Sequence, residues 1–156
     1  MEPGQWFVPL ARYIKVQNAS APMGRCGCRI VACTRDGPTV IEMAVDETVY
    51  PLQQGGVAGS VHGGAIAMLV DMTAVTAAVV RMQRAQTPKG TADLSVSYLR
   101  PAKSATLRAT ATCKKFGRAL ALLTVEVHDD QRRLVASGRV LYALATAAAG
   151  AGQSHL

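Results

Sequence analysis

Between residues 65 and 80 the chain reads AIAMLVDMTAVTAAVV, an apolar run carrying one charge, Asp71. A helix apolar on every side is normally buried all round, so the remaining chain must supply enough covering surface to wrap it. The run is shorter than the roughly 20 residues needed to cross a bilayer and holds an acid at its middle. It is therefore expected to be a core helix of a soluble protein, with no membrane partner. A carboxylate placed in such a helix is costly unless something pairs with it or uses it. Asp71 is thus a candidate site residue, the alternative being an Asp satisfied by neighbouring hydroxyls or backbone amides.

A chain of 156 residues suits a single domain with a substantial core. The start, Met1-Glu2-Pro3-Gly4-Gln5-Trp6, opens with an acid and has no basic segment leading into an apolar stretch, so a cytoplasmic location is expected. Cys26, Cys28, Cys33 and Cys113 show neither paired C-x-x-C spacing nor a His at ligand distance. Free thiols and no metal are therefore expected. The formal charge of +7 is unevenly distributed: residues 1–80 carry five Lys/Arg against six Asp/Glu, and residues 81–156 carry twelve against four. These cations are scattered along strand-like segments with few aromatics between them, which is a poor nucleic-acid surface and suits a polyanionic small molecule.

Residues 1–20 read as an N-terminal extension, with a short helix over part of 6–16. Two β-rich runs, 28–34 and 39–45, flank Asp36-Gly37-Pro38 and form a hairpin. A glycine-rich loop from Gln53 to Ser60 leads to His62 and the long helix. That helix is expected to end between Arg81 and Gln86, with Thr87-Pro88-Lys89-Gly90 as the exit turn. Strand candidates follow at 91–99, 104–114, 119–128 and 133–144, the first showing period-two alternation in Leu94, Val96 and Tyr98. The Ala/Gly-rich residues 145–156 read as a disordered tail. Two strands, one buried helix and four antiparallel strands make an α+β fold whose sheet wraps the helix.

With those elements in place, Val61-His62-Gly63-Gly64-Ala65-Ile66-Ala67-Met68-Leu69-Val70-Asp71 and Ser97-Tyr98-Leu99-Arg100-Pro101-Ala102 resemble the hot-dog fold, in particular its PaaI-like acyl-CoA thioesterase branch. The resemblance runs on through Gly117-Arg118 and Val125-Glu126-Val127 to Leu134-Val135-Ala136-Ser137-Gly138. It implies an antiparallel sheet around one long central helix and a homo-oligomer, a dimer or a dimer of dimers. By resemblance Asp71 is the catalytic carboxylate, Gly63 supplies the backbone N–H that polarises the thioester carbonyl, His62 is a positioning residue, and the Thr91 hydroxyl helps hold the attacking water. Relatives often carry an Asn six residues before the motif His. Here that position is Gly56, with Gln53 or Gln54 as possible substitutes. Gly64, Gln54 and Gly56 are substrate-binding candidates, and Arg100, Lys103 and Arg118 are candidates for the phosphates of coenzyme A. No cofactor is expected, coenzyme A being part of the substrate.

The chemistry stands beside the resemblance. Thioester hydrolysis needs donors for a developing oxyanion and a base or nucleophile for the attack, and the thiolate leaves without a metal. Gly63 and Gly64 open a helix N-terminus whose N–H groups are unobstructed by side chains and whose dipole favours negative charge. His62 and Asp71 are nine positions apart, hence rotated by about 180° and separated by roughly 13 Å along one helix. A site shared between two subunits is therefore expected. Three other readings compete: a non-catalytic acyl-CoA-binding or regulatory hot-dog protein, a hot-dog dehydratase or hydratase, and a small basic nucleic-acid binder.

Overall fold

In the computed structural model of this protein, residues 9–46 and 59–146 are described. Pro9 stands at the N-cap position of α1 (Leu10–Asn18), where its fixed φ and missing N–H cost the helix nothing. A single-turn helix, α2 (Ala21–Arg25), follows; no sequence signal marked it. Leu10–Asn18, within the expected extension, are thus packed on the first strand, Cys28–Cys33, and residues 1–8 lie outside the described part. The Asn18 side-chain amide donates to the Ile30 carbonyl at 3.2 Å and accepts the Ile30 N–H at 2.7 Å. Ile30 lies in β1 (Cys28–Cys33), at one edge of the sheet and beside a bulge. Asn18 therefore occupies backbone groups that an edge strand leaves open.

The expected hairpin joins β1 to β2 (Thr39–Ala44), and the long helix α3 runs Gly63–Arg81. β3 (Gln86–Tyr98), β4 (Thr106–Phe116), β5 (Leu120–His128) and β6 (Leu134–Thr146) complete a six-stranded antiparallel sheet in the order β1-β2-β4-β5-β6-β3. α3 packs against β2 through β6. Leu69, Val70, Ala74, Ala77 and Ala78 lose all contact with solvent, which is the hot-dog layout that the wrapped helix required.

Two expectations are corrected. Residues 87–90 are not an exit turn, because β3 begins at Gln86 and carries Pro88 and Gly90 within it, with register shifts at Pro88/Gly90 and Thr91/Asp93. β3 is the other edge of the sheet, and an edge strand accommodates both a proline and bulges because half of its ladder is unpaired. The tail expected to be disordered from residue 145 begins in order: Ala145 and Thr146 belong to β6, opposite Thr87 and Gln86. Residues 147–156 lie outside the described part.

α3 is not buried all round either. Met68, Asp71, Met72, Val75 and Val79 recur at helical spacing and are only half-buried, a stripe that the chain's own sheet leaves partly uncovered. Beside it β3 exposes Leu94 and Tyr98, and the following Leu99 is exposed as well.

Candidate active site

Two pieces of chemistry lie along α3. The first is its N-terminus. His62 is the N-cap, and its Nδ1 accepts the Gly64 N–H at 2.9 Å. This satisfies one of the helix's orphan donors and fixes the chain's entry angle. The Gly64 amide, expected to be open to substrate, is thereby occupied, whereas the Gly63 N–H finds no acceptor among the described residues. Gly63 borders a groove of about 400 Å³ lined by Ser60, Val61, Ile66 and the segment Tyr98–Ala102. A single unshielded N–H at the positive end of a 19-residue helix is suited to a developing oxyanion.

Tyr98 gives this end a support that the sequence did not mark. Its Oη donates to the Gly63 carbonyl at 2.9 Å, and its ring would lie 3.4 Å from a Cβ at residue 63. The phenol therefore fixes the orientation of the Gly63–Gly64 peptide. Its place in the alternation of Leu94, Val96 and Tyr98 concealed this, since an aromatic at a strand's end reads as core.

Asp71 is the second piece. It lies on the uncovered stripe, half-buried, and its Oδ1 accepts the Thr91 hydroxyl at 2.5 Å. The carboxylate has the partner its environment demands, and that partner leaves its remaining lone pairs available toward the open face. Thr91 is set by β3, where it stands opposite Tyr142 of β6, so both side chains leave the same face of the sheet. Tyr142 is buried, and the phenol's pKa is raised first by that burial and then by the charge of Asp71. Tyr142 had no motif to mark it.

The structure thus joins Asp71 to Thr91, and His62 to Gly63 and Gly64, but places these two groups at separate points of one helix. It divides the expected phosphate-binding residues as well. Arg100 lines the groove at the start of α3, with Lys103 three residues on. Arg118 lies beyond β4, at the opposite end, where its carbonyl accepts from the Gln86 side chain just past the end of α3. Gln53, Gln54 and Gly56 lie outside the described residues. None of the four cysteines forms a disulfide.

Against known proteins, residues 58–136 match the model of the thioesterase superfamily. The chain is 30% identical over 105 residues to the medium/long-chain acyl-CoA thioesterase YigI of Escherichia coli, covering 59% of this chain and 68% of that relative. Among solved structures, a thioesterase from Haemophilus influenzae superposes with a TM-score of 0.76 at 19% identity, over 93% of this chain and 96% of the other. Thioesterase superfamily member 2 from zebra fish superposes at 0.65 with 26% identity, over 85% and 93%.

Proposed function

This chain belongs to the thioesterase superfamily and is a thioester hydrolase, and from that footing we propose that it hydrolyses an acyl-CoA to free acid and coenzyme A at a site built from two copies of the chain. The observation that carries the proposal is the Thr91–Asp71 hydrogen bond on the uncovered face of α3. Asp71 supplies the carboxylate for the attack, Thr91 orients it and the incoming water, and the Gly63 N–H receives the negative charge that develops on the thioester oxygen. The thiolate of coenzyme A then leaves. The E. coli relative is named for medium and long acyl chains, which favours an aliphatic acyl group over an aryl one.

Distance supports the two-copy reading. Gly63 and Asp71 are eight residues apart on α3, roughly 12 Å along the axis, so one carbonyl carbon cannot meet both within a chain. The half-buried stripe of α3 and the exposed apolar residues of β3 supply the surface on which a second copy would bring its Gly63 to Asp71. Four cysteines without a disulfide fit a reducing compartment such as the cytoplasm.

The test is release of free thiol from a panel of acyl-CoA esters. Wild-type protein should turn over at least one member, and Asp71→Asn should keep its fold while losing roughly 10²–10⁴ in kcat, the usual scale for a positioned base or nucleophile. Unchanged turnover in the folded variant removes Asp71 from the mechanism. A single turnover in heavy-oxygen water tests nucleophilic attack by Asp71 against general-base attack by water, because label found in Asp71 requires a mixed anhydride that water has opened at the Asp71 carbonyl.

A further inference from the structure

The far end of α3 holds a second groove, larger than the one at Gly63, that the proposed chemistry does not use. It has a volume of about 470 Å³ and is lined by Arg35 and Asp36 of the β1–β2 turn, Arg81 and Gln83 at the end of α3, and Cys113 to Phe116 of β4. Four of these residues are cations, Arg35, Arg81, Lys114 and Lys115, and Asp36 is the one carboxylate in the lining. Arg84 and Arg118 stand on the adjoining turns. Three of the twelve cations of residues 81–156, Arg81, Lys114 and Lys115, thus meet Arg35 at one end of α3.

The local structure holds these charges in place. The half-buried Arg81 guanidinium donates to the carbonyls of Ala77 and Gly37, so it spans the negative end of the helix dipole and offsets it. An immobilised guanidinium binds an anion with little further loss of side-chain freedom. In β4 the register shifts between Cys113 and Lys115, and such a bulge re-aims side chains. Lys114 and Lys115 are both exposed at this point, and neither forms an ion pair among the described residues. Phe116, half-buried against the core, also lines the groove and is the aromatic there against which a flat ring could stack. The volume suits a small organic ligand. A single groove with one aromatic residue is not the extended basic track that a nucleic acid needs.

We infer that the groove at the C-terminal end of α3 binds the phosphates of an adenine nucleotide, held by Lys114, Lys115, Arg35 and Arg81. Two sources share this chemistry: the nucleotide end of the acyl-CoA substrate, and a free nucleotide. The first rests on the acyl-CoA reading above and is geometrically accessible, since Arg81 is ten residues beyond Asp71, roughly 15 Å along the helix, a gap for the pantetheine arm to span. It also assigns the phosphate role to the end that holds Arg118 rather than to Arg100 and Lys103.

Calorimetric titration of the full chain with adenosine 3′,5′-bisphosphate tests the groove without any turnover. Binding should weaken about tenfold or more in Lys114→Ala/Lys115→Ala and should stay unchanged in Arg25→Ala/Arg132→Ala, which removes the same charge elsewhere. Absence of binding to wild type, or equal weakening in both double variants, overturns the inference whether or not the protein proves to be a thioesterase. Hydrolysis then identifies the source. If Lys114→Ala/Lys115→Ala raises KM for acyl-CoA about tenfold and leaves acyl-pantetheine hydrolysis unaltered, the groove holds the substrate's own nucleotide. If bisphosphate binding weakens and KM for acyl-CoA does not move, the groove serves a free nucleotide.

Discussion

At the scale of single residues, the site depends on short polar contacts made at the exposed and half-buried surface of the single chain. Thr91 satisfies Asp71, His62 satisfies Gly64, and Tyr98 holds the Gly63 carbonyl. The Tyr98 bond is neutral, and about half of that side chain's surface is exposed in the single chain. Its loss should cost no more than about 1 kcal/mol, or up to roughly fivefold in kcat. Tyr98→Phe is therefore expected to lower kcat modestly with KM little changed, which steady-state kinetics on a turned-over acyl-CoA would measure. A second expectation concerns the thiols. Burial, with a smaller push from Cys26, raises the Cys28 pKa to about 12, against about 8.5 in an unfolded chain. Stability carried by the protonated thiol is thus fully present below about pH 8.5 and is lost as pH rises toward 12, because the unfolded chain releases its proton first. The thermal midpoint should hold near neutral pH and fall in alkali, and the fall should be shallower in Cys28→Ala. Tyr13, raised to about 12 mainly by burial, adds to the same slope above about pH 10.

Among the elements, the contact of α3 with β6 sets how closely the sheet wraps the helix. Gly138 of β6 stands opposite Val96 of β3 and Val125 of β5. A Cβ at this position would come within 2.5 Å of Val70 Cγ1, a side chain with no exposed surface. Neither a buried branched side chain nor the sheet backbone can withdraw cheaply, so Gly138→Ala should destabilise by about 1–3 kcal/mol. Chemical denaturation would measure this. Adding Val70→Ala should recover part of the loss, giving a coupling energy that two independent sites would not show. β3 illustrates the opposite case. As an edge strand it tolerates Pro88, Gly90 and two register shifts, and those irregularities lie on either side of the residues that deliver Thr91 to Asp71.

For the whole molecule, the proposed site is completed only by association. A mixture of two inactive variants tests this directly. Asp71→Ala removes the carboxylate, and Gly63→Pro removes the N–H at the first helical position, where a proline is tolerated. If the two are dissociated and reassembled in equal amounts, half the dimers are mixed and each mixed dimer holds one intact site of two, so about a quarter of wild-type activity should return. Sizing of each variant beforehand confirms that both still assemble. Mixtures that assemble and remain inactive would place Asp71 within its own chain's site or outside the mechanism.

What the sequence by itself determined was whatever depends on local pattern: a helix too apolar to face water, strands whose alternation and turn residues punctuate them, and a lone acid whose burial demanded a partner. Those constraints act over a few residues and leave few alternatives. The strand through Pro88 and Gly90 was not legible, because a residue that breaks an inner strand is harmless at an edge, and only pairing order reveals which strand is the edge. Thr91 was marked through the resemblance alone, and the phenol on Gly63 and the convergence of Arg35, Arg81, Lys114 and Lys115 on one groove join residues far apart in the chain. No local signal encodes such separations. They are set when the sheet closes around α3, so that close packing in three dimensions fixes which distant side chains meet.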